Sequence, residues 1–539
     1  TLIGACPDLH VLATSRQALG VAGEVRMVVP PMSLPAEGED TSVQQLLGYD
    51  AVWLLSERAA AVVPGFTVDA ANAAQVLALC RKLDGIPLAL ELAAVRLASL
   101  SLDQLNRGLT SELSILGSGN RGAHTRQQTL EATIGWSYGL LDEQERLLWA
   151  RLSVFAGGFE EDAAMQVCSD VQIAAGQIVG LLGELVDKSI LKRQLRDDRP
   201  PRYWLLETMR QYGLARLGGT GVQDITHQRH LDWIGALAES IGALDSRQVA
   251  LFERMHREQD NLWAALDFCA RQPAGVAAAS ELAQQLRPYW AARGPFGDVR
   301  RVLTSLAELA PENSVARGRL LWVAATMALS ANDYDGCAAL AEESLRIGTA
   351  TRDVEIVSSA LYTSALPRFR DGDLADAKER VESAFSLARL MRLDQTELVL
   401  HCTLCTVLIA VGEIGRAIEV AEHGAALTAE RHESWCRGFL LNFLATAYWM
   451  RNSREEAEAV AREAALCKHA VDDRNGLTLV FETLAWISAE RGAHERAANP
   501  PGLRAARARP ELADPDRAVP PAARTIGVNH RPGNRPEGV

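Results

Sequence analysis

Two short stretches carry residue types suited to gripping a phosphorylated ligand. The first is Thr14-Ser15-Arg16, which closes the apolar run Val11-Leu12-Ala13. Such a run reads as a buried parallel strand, and ligands sit at the carboxyl edge of sheets built from such strands. A guanidinium there offers a planar fork of donors to a terminal phosphate. The second stretch is Leu83 to Leu97, in which Gly85 and Pro87 open a helical run. A proline in the first turn gives up an N–H that has no intrahelical partner, and the helix start turns its positive dipole end toward an anion. Behind it, Leu88, Leu92 and Val95, with Leu90 and Leu97 on the adjoining stripe, supply an apolar face. Alone, each stretch fits equally a strand exit with a solvated arginine or a well-started core helix.

Other chemistry is weaker. His401 with Cys402 and Cys405 makes half a zinc site with no second ligand pair, so helix packing is the expected use. His227 and His230 have a metal-compatible spacing but no further ligands, and read as surface residues. No Gly-x-x-x-x-Gly-Lys-Ser/Thr phosphate loop occurs, and no apolar strand ending in acidic residues stands ready for Mg²⁺. No catalytic or metal-ligating residue is therefore expected.

The elements that position these residues are mostly helical. At 539 residues the chain exceeds what one core supports, so several domains are expected. The net charge of −13 argues against a broad nucleic-acid face. Nine cysteines without framework spacing suit a reducing, cytoplasmic setting. No apolar run reaches the roughly 20 residues that span a bilayer, so no membrane partner is expected. From Tyr49 to Leu116 the periodicity gives four helices, with Asp69 and Ser101 as caps of two of them. Helices over 128–140, 142–155, 160–168 and 178–188 then precede two strands, 189–193 and 202–206, around a turn at 197–201. Helices followed by a two-stranded wing suggest a winged-helix domain. Its helices hold few basic residues, so packing against a neighbouring domain is favoured over reading DNA.

Residues 330 to 497 show a period of 40. Asn332, Gly372, Gly412, Asn452 and Gly492 start turns. Small residues recur five positions later (Cys337, Ala377, Ala417, Ala457) and twelve later (Ser344, Ala384, Gly424, Ala464). Small side chains seven apart let neighbouring helices approach closely, as stacked helical hairpins require. Apolar helices over 320–330, 359–370, 398–411, 440–450 and 479–491 precede the turns. A concave protein-binding surface is expected. From Asn499 to Val539 prolines and arginines recur without an aromatic residue, and this tail is expected to be disordered.

Five pieces occur in a telling order: 6–16 (Cys-Pro-Asp-Leu-His-Val-Leu-Ala-Thr-Ser-Arg), 83–90 (Leu-Asp-Gly-Ile-Pro-Leu-Ala-Leu), Trp136-Ser137-Tyr138, 152–159 (Leu-Ser-Val-Phe-Ala-Gly-Gly-Phe) and 205–212 (Leu-Leu-Glu-Thr-Met-Arg-Gln-Tyr). With 259–266, this series over residues 1–270 resembles the later part of the NTPase module of bacterial STAND-class (NB-ARC-like) signal-transduction regulators. Relatives often carry tetratricopeptide-like repeats and a LuxR-type helix-turn-helix. The resemblance implies that Arg16 faces the γ-phosphate with Thr14 and Ser15 shaping that edge, and that Gly85 and Pro87 lie against base and sugar. Many relatives have Met-His-Asp at 205–207. Here Leu206 replaces the histidine that contacts the β-phosphate, and Glu207 is at most a structural acidic partner.

The resulting expectation is a mainly α chain. It has an α/β remnant of the NTPase core (1–35), a four-helix NB-ARC-associated unit (36–118), a winged helix (119–230) and a helical connector (231–310). An α-solenoid of tetratricopeptide-like hairpins (311–498) and the tail (499–539) complete it. The resemblance further implies a regulator truncated at both ends. ATP or ADP would be the ligand of intact relatives, and this chain alone has no cofactor. DNA would be met only through an output domain not in this sequence, and a protein or small-molecule inducer would bind at the repeats. A stand-alone repeat adaptor is the alternative.

Overall fold

In a computed structural model of the chain, residues 30–35, 42–83, 85–107, 134–196, 199–218, 221–272 and 274–490 are described. Thr14, Ser15, Arg16 and the tail from 499 lie outside them. The fold is mainly helical and divides into two compact units. One comprises Thr1–Trp149, Val179–Arg193 and Leu206–Tyr212; the other comprises Ala150–Ile178, Gln194–Leu205 and Gly213–Val539.

In the first unit, α1 (Asp50–Val62), α2 (Ala73–Lys82), α3 (Pro87–Arg96) and a segment at 102–107 form the four-helix unit. Asp50 places a carboxylate in the first turn of α1, where the dipole favours it, and accepts from Ser33 Oγ at 2.8 Å. Asp69 accepts from the Ala71 and Asn72 amides (2.9 and 3.1 Å) and so holds a turn ahead of α2, which starts later than its periodicity suggests. Ser101 and Gln104 form a reciprocal capping box at 3.2 and 2.9 Å. The core gathers Val52, Leu55, Leu79, Leu83, Leu90 and Leu105. On α3 Leu90 and Leu92 are buried as expected, whereas Leu88, Val95 and Leu97 are half-buried. Ala89, Ala93 and Ala94 join Leu90 in the core, because alanines let α1 come close.

The winged-helix segment holds α4 (Glu143–Leu152), α5 (Glu161–Cys168), α6 (Ala175–Asp187), β1 (Leu191–Arg196), β2 (Arg199–Leu205) and α7 (Glu207–Gly218). Its strands pair as a two-stranded sheet. Pro200 and Pro201 fall at the very start of β2, where the ladder begins, and further along its outer edge Tyr203 bridges to Phe159 through two 2.8 Å backbone bonds. In the first unit Tyr138, Trp149 and Tyr212 pack with ring centroids 5.6 Å apart, and the Trp149 indole donates to the Met209 carbonyl at 3.1 Å.

The second unit continues through α8 (Gln223–Gly242), α9 (Gln248–Arg257), α10 (Gln259–Arg271), α11 (Gly275–Arg293) and α12 (Phe296–Leu309). The repeat hairpins follow: α13 (Val315–Ser330) with α14 (Tyr334–Thr351), α15 (Val354–Arg370) with α16 (Leu374–Met391), α17 (Asp394–Ala410) with α18 (Ile414–Glu430), α19 (Trp435–Met450) with α20 (Arg454–Ala470), then α21 (Arg474–Glu490). Asn332, Gly372, Gly412 and Asn452 end the first helix of each hairpin in the left-handed region, with φ of 60, 86, 83 and 66°. A second series with the same spacing ends the second helices: Arg352, Arg392, His432 and Asp472, with φ of 57, 54, 53 and 55°. Each odd-numbered helix therefore starts several residues before its apolar run, on polar residues that follow this turn. The small residues behave as the spacing requires: Cys337, Ala377, Ala457, Ser344, Ala384 and Ala464 are all fully buried. A Cβ on Gly424 would meet Leu440 at 3.0 Å.

The odd-numbered helices α13 to α21 pack in succession, and α21 returns to touch α11. Several bonds tie α9 and α11 across this row. Gln248, 2% exposed, donates to Glu433 Oε1 at 2.8 Å and accepts from the Ser434 and Trp435 amides. Arg293 donates to the Val471 carbonyl at 2.9 Å, and Gln284 to Glu355 at 2.7 Å. No helix among the described residues is long and apolar enough to cross a membrane.

Candidate functional site

The helix expected to form a nucleotide lid, α3, begins as its sequence prescribes. Pro87 occupies the first turn and is exposed. Gly85 has φ +60°, and a Cβ there would stand 2.5 Å from the Met32 carbonyl oxygen. The Met32 amide in turn donates to the Gly85 carbonyl at 2.9 Å. The close approach that demands glycine is thus made by the chain's own backbone. Of the nucleotide set, only Gly85 and Pro87 fall within the described residues, and Gly85 is sealed by Met32. These two do not by themselves form a grip for a nucleotide.

At its other end α3 is wired into the winged-helix segment. Arg96, 6% exposed, donates to the Ser137 carbonyl at 3.3 Å and feels the charge of Glu145. Glu145 is fully buried and accepts from Lys188. It also caps α4 reciprocally with Asp142, both bonds being 2.8 Å. Burial opposes its charge, but Lys188 and the Asp142 amide outweigh that and hold the carboxyl below its ordinary range. Outside, Glu91 of α3 pairs with Arg58 at 3.2 Å and Lys192 of β1 at 4.0 Å. Moving α3 would break the buried Arg96–Ser137 hydrogen bond and separate Arg96 from the Glu145 charge. This makes α3, α4 and α6 a mechanically linked set within the first unit.

The switch position lies in that unit as well. Leu206 is half-buried and its carbonyl accepts from the Arg210 amide at 2.9 Å. Glu207 is exposed and spends its carboxylate on Arg210 (2.8 Å) and Gln211 (2.8 Å) of its own helix.

Three other constellations can be placed. Gly135-Trp136-Ser137-Tyr138-Gly139 spells the Gly-x-Ser-x-Gly pattern of a hydrolase elbow, which the sequence reading missed. Ser137 sits inside a helix rather than on a strand-to-helix turn. It is fully buried, and its hydroxyl has no partner, so no base is in place to activate it. Cys405 donates toward the Ala417 carbonyl at 3.7 Å and Cys402 toward that of Cys436 at 3.8 Å. His401 bonds the Glu397 carbonyl through Nδ1, so this trio packs helices. The surface reading of the histidine pair is corrected. His230 is 2% exposed against Phe155 and Trp233, and burial pushes its pKa down to about 4. His227 stacks on Phe268, its ring centroid 5.2 Å away. Both were hidden because Phe155 and Phe268, which cover them, lie far away in the sequence. Asp142, Glu145 and Glu184 gather close together, but Lys188 already neutralises Glu145.

In the recognition position of a winged helix stands α6. Its charged residues are Glu184 and Asp187, and it presents Val179 to solvent at 45% exposure. A helix without a cation lacks the Lys or Arg that neutralises phosphates and forks onto guanine edges.

A family model described as a winged helix-turn-helix domain matches residues 141–218. The HTH-type transcriptional regulator Rv0890c of Mycobacterium tuberculosis is 42% identical over 293 residues, which is 54% of this chain and 31% of that protein. An uncharacterized protein of the same organism, Rv0894, is 38% identical over 231 residues, 43% of this chain and 55% of its own. The chain thus spans about a third of the first relative and about half of the second. Among solved structures, a signal-transduction ATPase with numerous domains and a tetratricopeptide repeat sensor, PH0952 from Pyrococcus horikoshii, aligns over 81% of this chain and 66% of its own. The identity is 13% and the TM-score 0.40.

Proposed function

We propose that this chain is the switch-and-sensor portion of a transcriptional regulator of the STAND, NB-ARC-like type, with LuxR-family relatives. The reading is supported most by its similarity to an HTH-type transcriptional regulator together with the winged-helix match. In this account α3 is the lid of a nucleotide switch. Its buried link through Arg96, Glu145 and Lys188 hands lid position to the winged helix. The winged helix acts as a coupling module rather than a DNA reader, because α6 carries no basic residue. The repeat array is the sensor, with a protein or small-molecule inducer as its partner. DNA is engaged through an output domain not in this sequence. ATP or ADP belongs to the intact relatives, and the polypeptide by itself neither binds nor hydrolyses it. Its setting is the cytoplasm.

A second reading, a stand-alone repeat adaptor, is favoured by the size of the helical array alone. Transcript profiling of the host with and without the gene separates the two. The regulator reading predicts a confined set of transcripts changing severalfold. An unchanged transcriptome would leave only the adaptor.

A further inference from the structure

One register position on successive odd-numbered repeat helices, 40 residues apart, carries Trp322, Tyr362, Cys402 and Asn442, exposed by 3, 6, 9 and 4%. Their burial is not due to the repeats alone, since α11 lays Arg287 among them. The Arg287 guanidinium carbon stands 5.5 Å from the Trp322 ring centroid and 5.7 Å from that of Trp435. Its charge is felt by Tyr362 and Cys436. Yet among the described residues no carboxylate pairs with it. Glu355, the acid that also acts on Tyr362, is bonded to Gln284, and Glu433 is held by Gln248 and the backbone amides of α19.

An arginine cannot shed its proton, so a buried guanidinium with only ring faces beside it keeps an unmet demand for an anion. The indole nitrogens of the two rings against it, Trp322 and Trp435, are buried and unbonded too. A cation, two indole donors and flat aromatic walls match a compact organic anion. The guanidinium forks onto its oxyanion while the walls take an apolar body. A folded protein partner cannot reach residues this buried, whereas Arg287 keeps 6% exposure.

We propose that Arg287, between Trp322 and Trp435, is the oxyanion-binding centre for a small organic carboxylate or phosphate taken into the inner face of the repeat array. The inference rests on the sensor reading and narrows its inducer to that chemistry. Because the anion would bridge α11 to α13 and α19, its arrival tightens the closure made by Gln248 and Arg293.

The test uses the full chain, with benzoate and inorganic phosphate as separate probes in calorimetric titrations and thermal unfolding scans. Expected are saturable one-to-one binding of at least one probe, a rise in Tm with that probe, and loss of about tenfold or more in affinity in Arg287→Met. Trp322→Phe, which keeps the wall but removes the indole donor, is the second variant and is expected to weaken binding severalfold while folding normally. The two probes tell a carboxylate site from a phosphate site. No saturable binding of either probe, or equal binding by Arg287→Met and the native chain, overturns the proposal. Changed transcripts in the gene deletion alongside absent oxyanion binding would discard this site and keep the regulator reading.

Discussion

Lys468 is a fully buried charge in the repeat array, and replacing it with methionine should show what closing the array costs. Its ammonium and the Asp473 carboxylate are both fully buried, 2.8 Å apart. The same nitrogen donates to the Trp435 carbonyl at 2.8 Å and lies over the Phe439 ring. Burial draws the ammonium below its ordinary pKa, with Asp473 opposing that drift. Removing one partner of such a pair leaves the other desolvated and unmatched, which costs about 3–5 kcal/mol. Lys468→Met therefore should lower stability by that amount. Adding Asp473→Asn should recover most of it, because the amide oxygen can still accept from the Gly476 amide, now 2.8 Å away. The assay is urea unfolding of the full chain, followed by far-ultraviolet circular dichroism across the transition of the repeats. A loss below about 1 kcal/mol, or a double variant no better than the single, would refute the claim that each of these buried charges depends on the other.

Three further predictions follow from local geometry. His230, with its pKa depressed to about 4 by burial, contributes stability fully present above the unfolded value near 6.5. That contribution falls as pH drops from about 6.5 to about 4, by roughly 3 kcal/mol, and His230→Phe should flatten this part of a pH–stability curve. Arg352 and Arg392 are exposed and sit at φ of 57 and 54°, where a Cβ is strained. Each change to glycine should raise stability by about 0.5–1 kcal/mol and Tm correspondingly, as read by thermal denaturation. Gly85→Ala drives a Cβ into the Met32 carbonyl at 2.5 Å. It should destabilise the first unit by about 1–3 kcal/mol, seen as faster amide exchange in α2 and α3.

How far the sequence disclosed this architecture depends on which residues made the turns. Asn332, Gly372, Gly412 and Asn452 announce left-handed turns by type, so the period of 40 was readable. The matching turns at Arg352, Arg392, His432 and Asp472 were not, because none is glycine or asparagine and the turns are closed by backbone bonds such as the Asp353 amide to the Gly348 carbonyl at 3.0 Å. The starts of the odd-numbered helices slipped for that reason. On α3 Leu90 and Leu92 were legible as buried, whereas Ala89, Ala93 and Ala94 were passed over because alanines are weak in any hydrophobicity pattern. His230 and Arg287 gain their meaning from partners far along the chain, such as Trp435, which lies 148 positions after Arg287. No local window contains such a pair. In the lid, Gly85 and Pro87 were legible as a helix entry, whereas the Met32 carbonyl that fills the space beside Gly85 lies 53 residues earlier.

We propose residues 85–96 as a switch lid in a chain whose sequence holds no Gly-x-x-x-x-Gly-Lys-Ser/Thr loop. Titration of the purified full chain with fluorescently labelled ADP tests it most directly. The account predicts no saturable binding below about millimolar nucleotide. Saturable binding at micromolar concentration, abolished by Arg16→Ala, would contradict it.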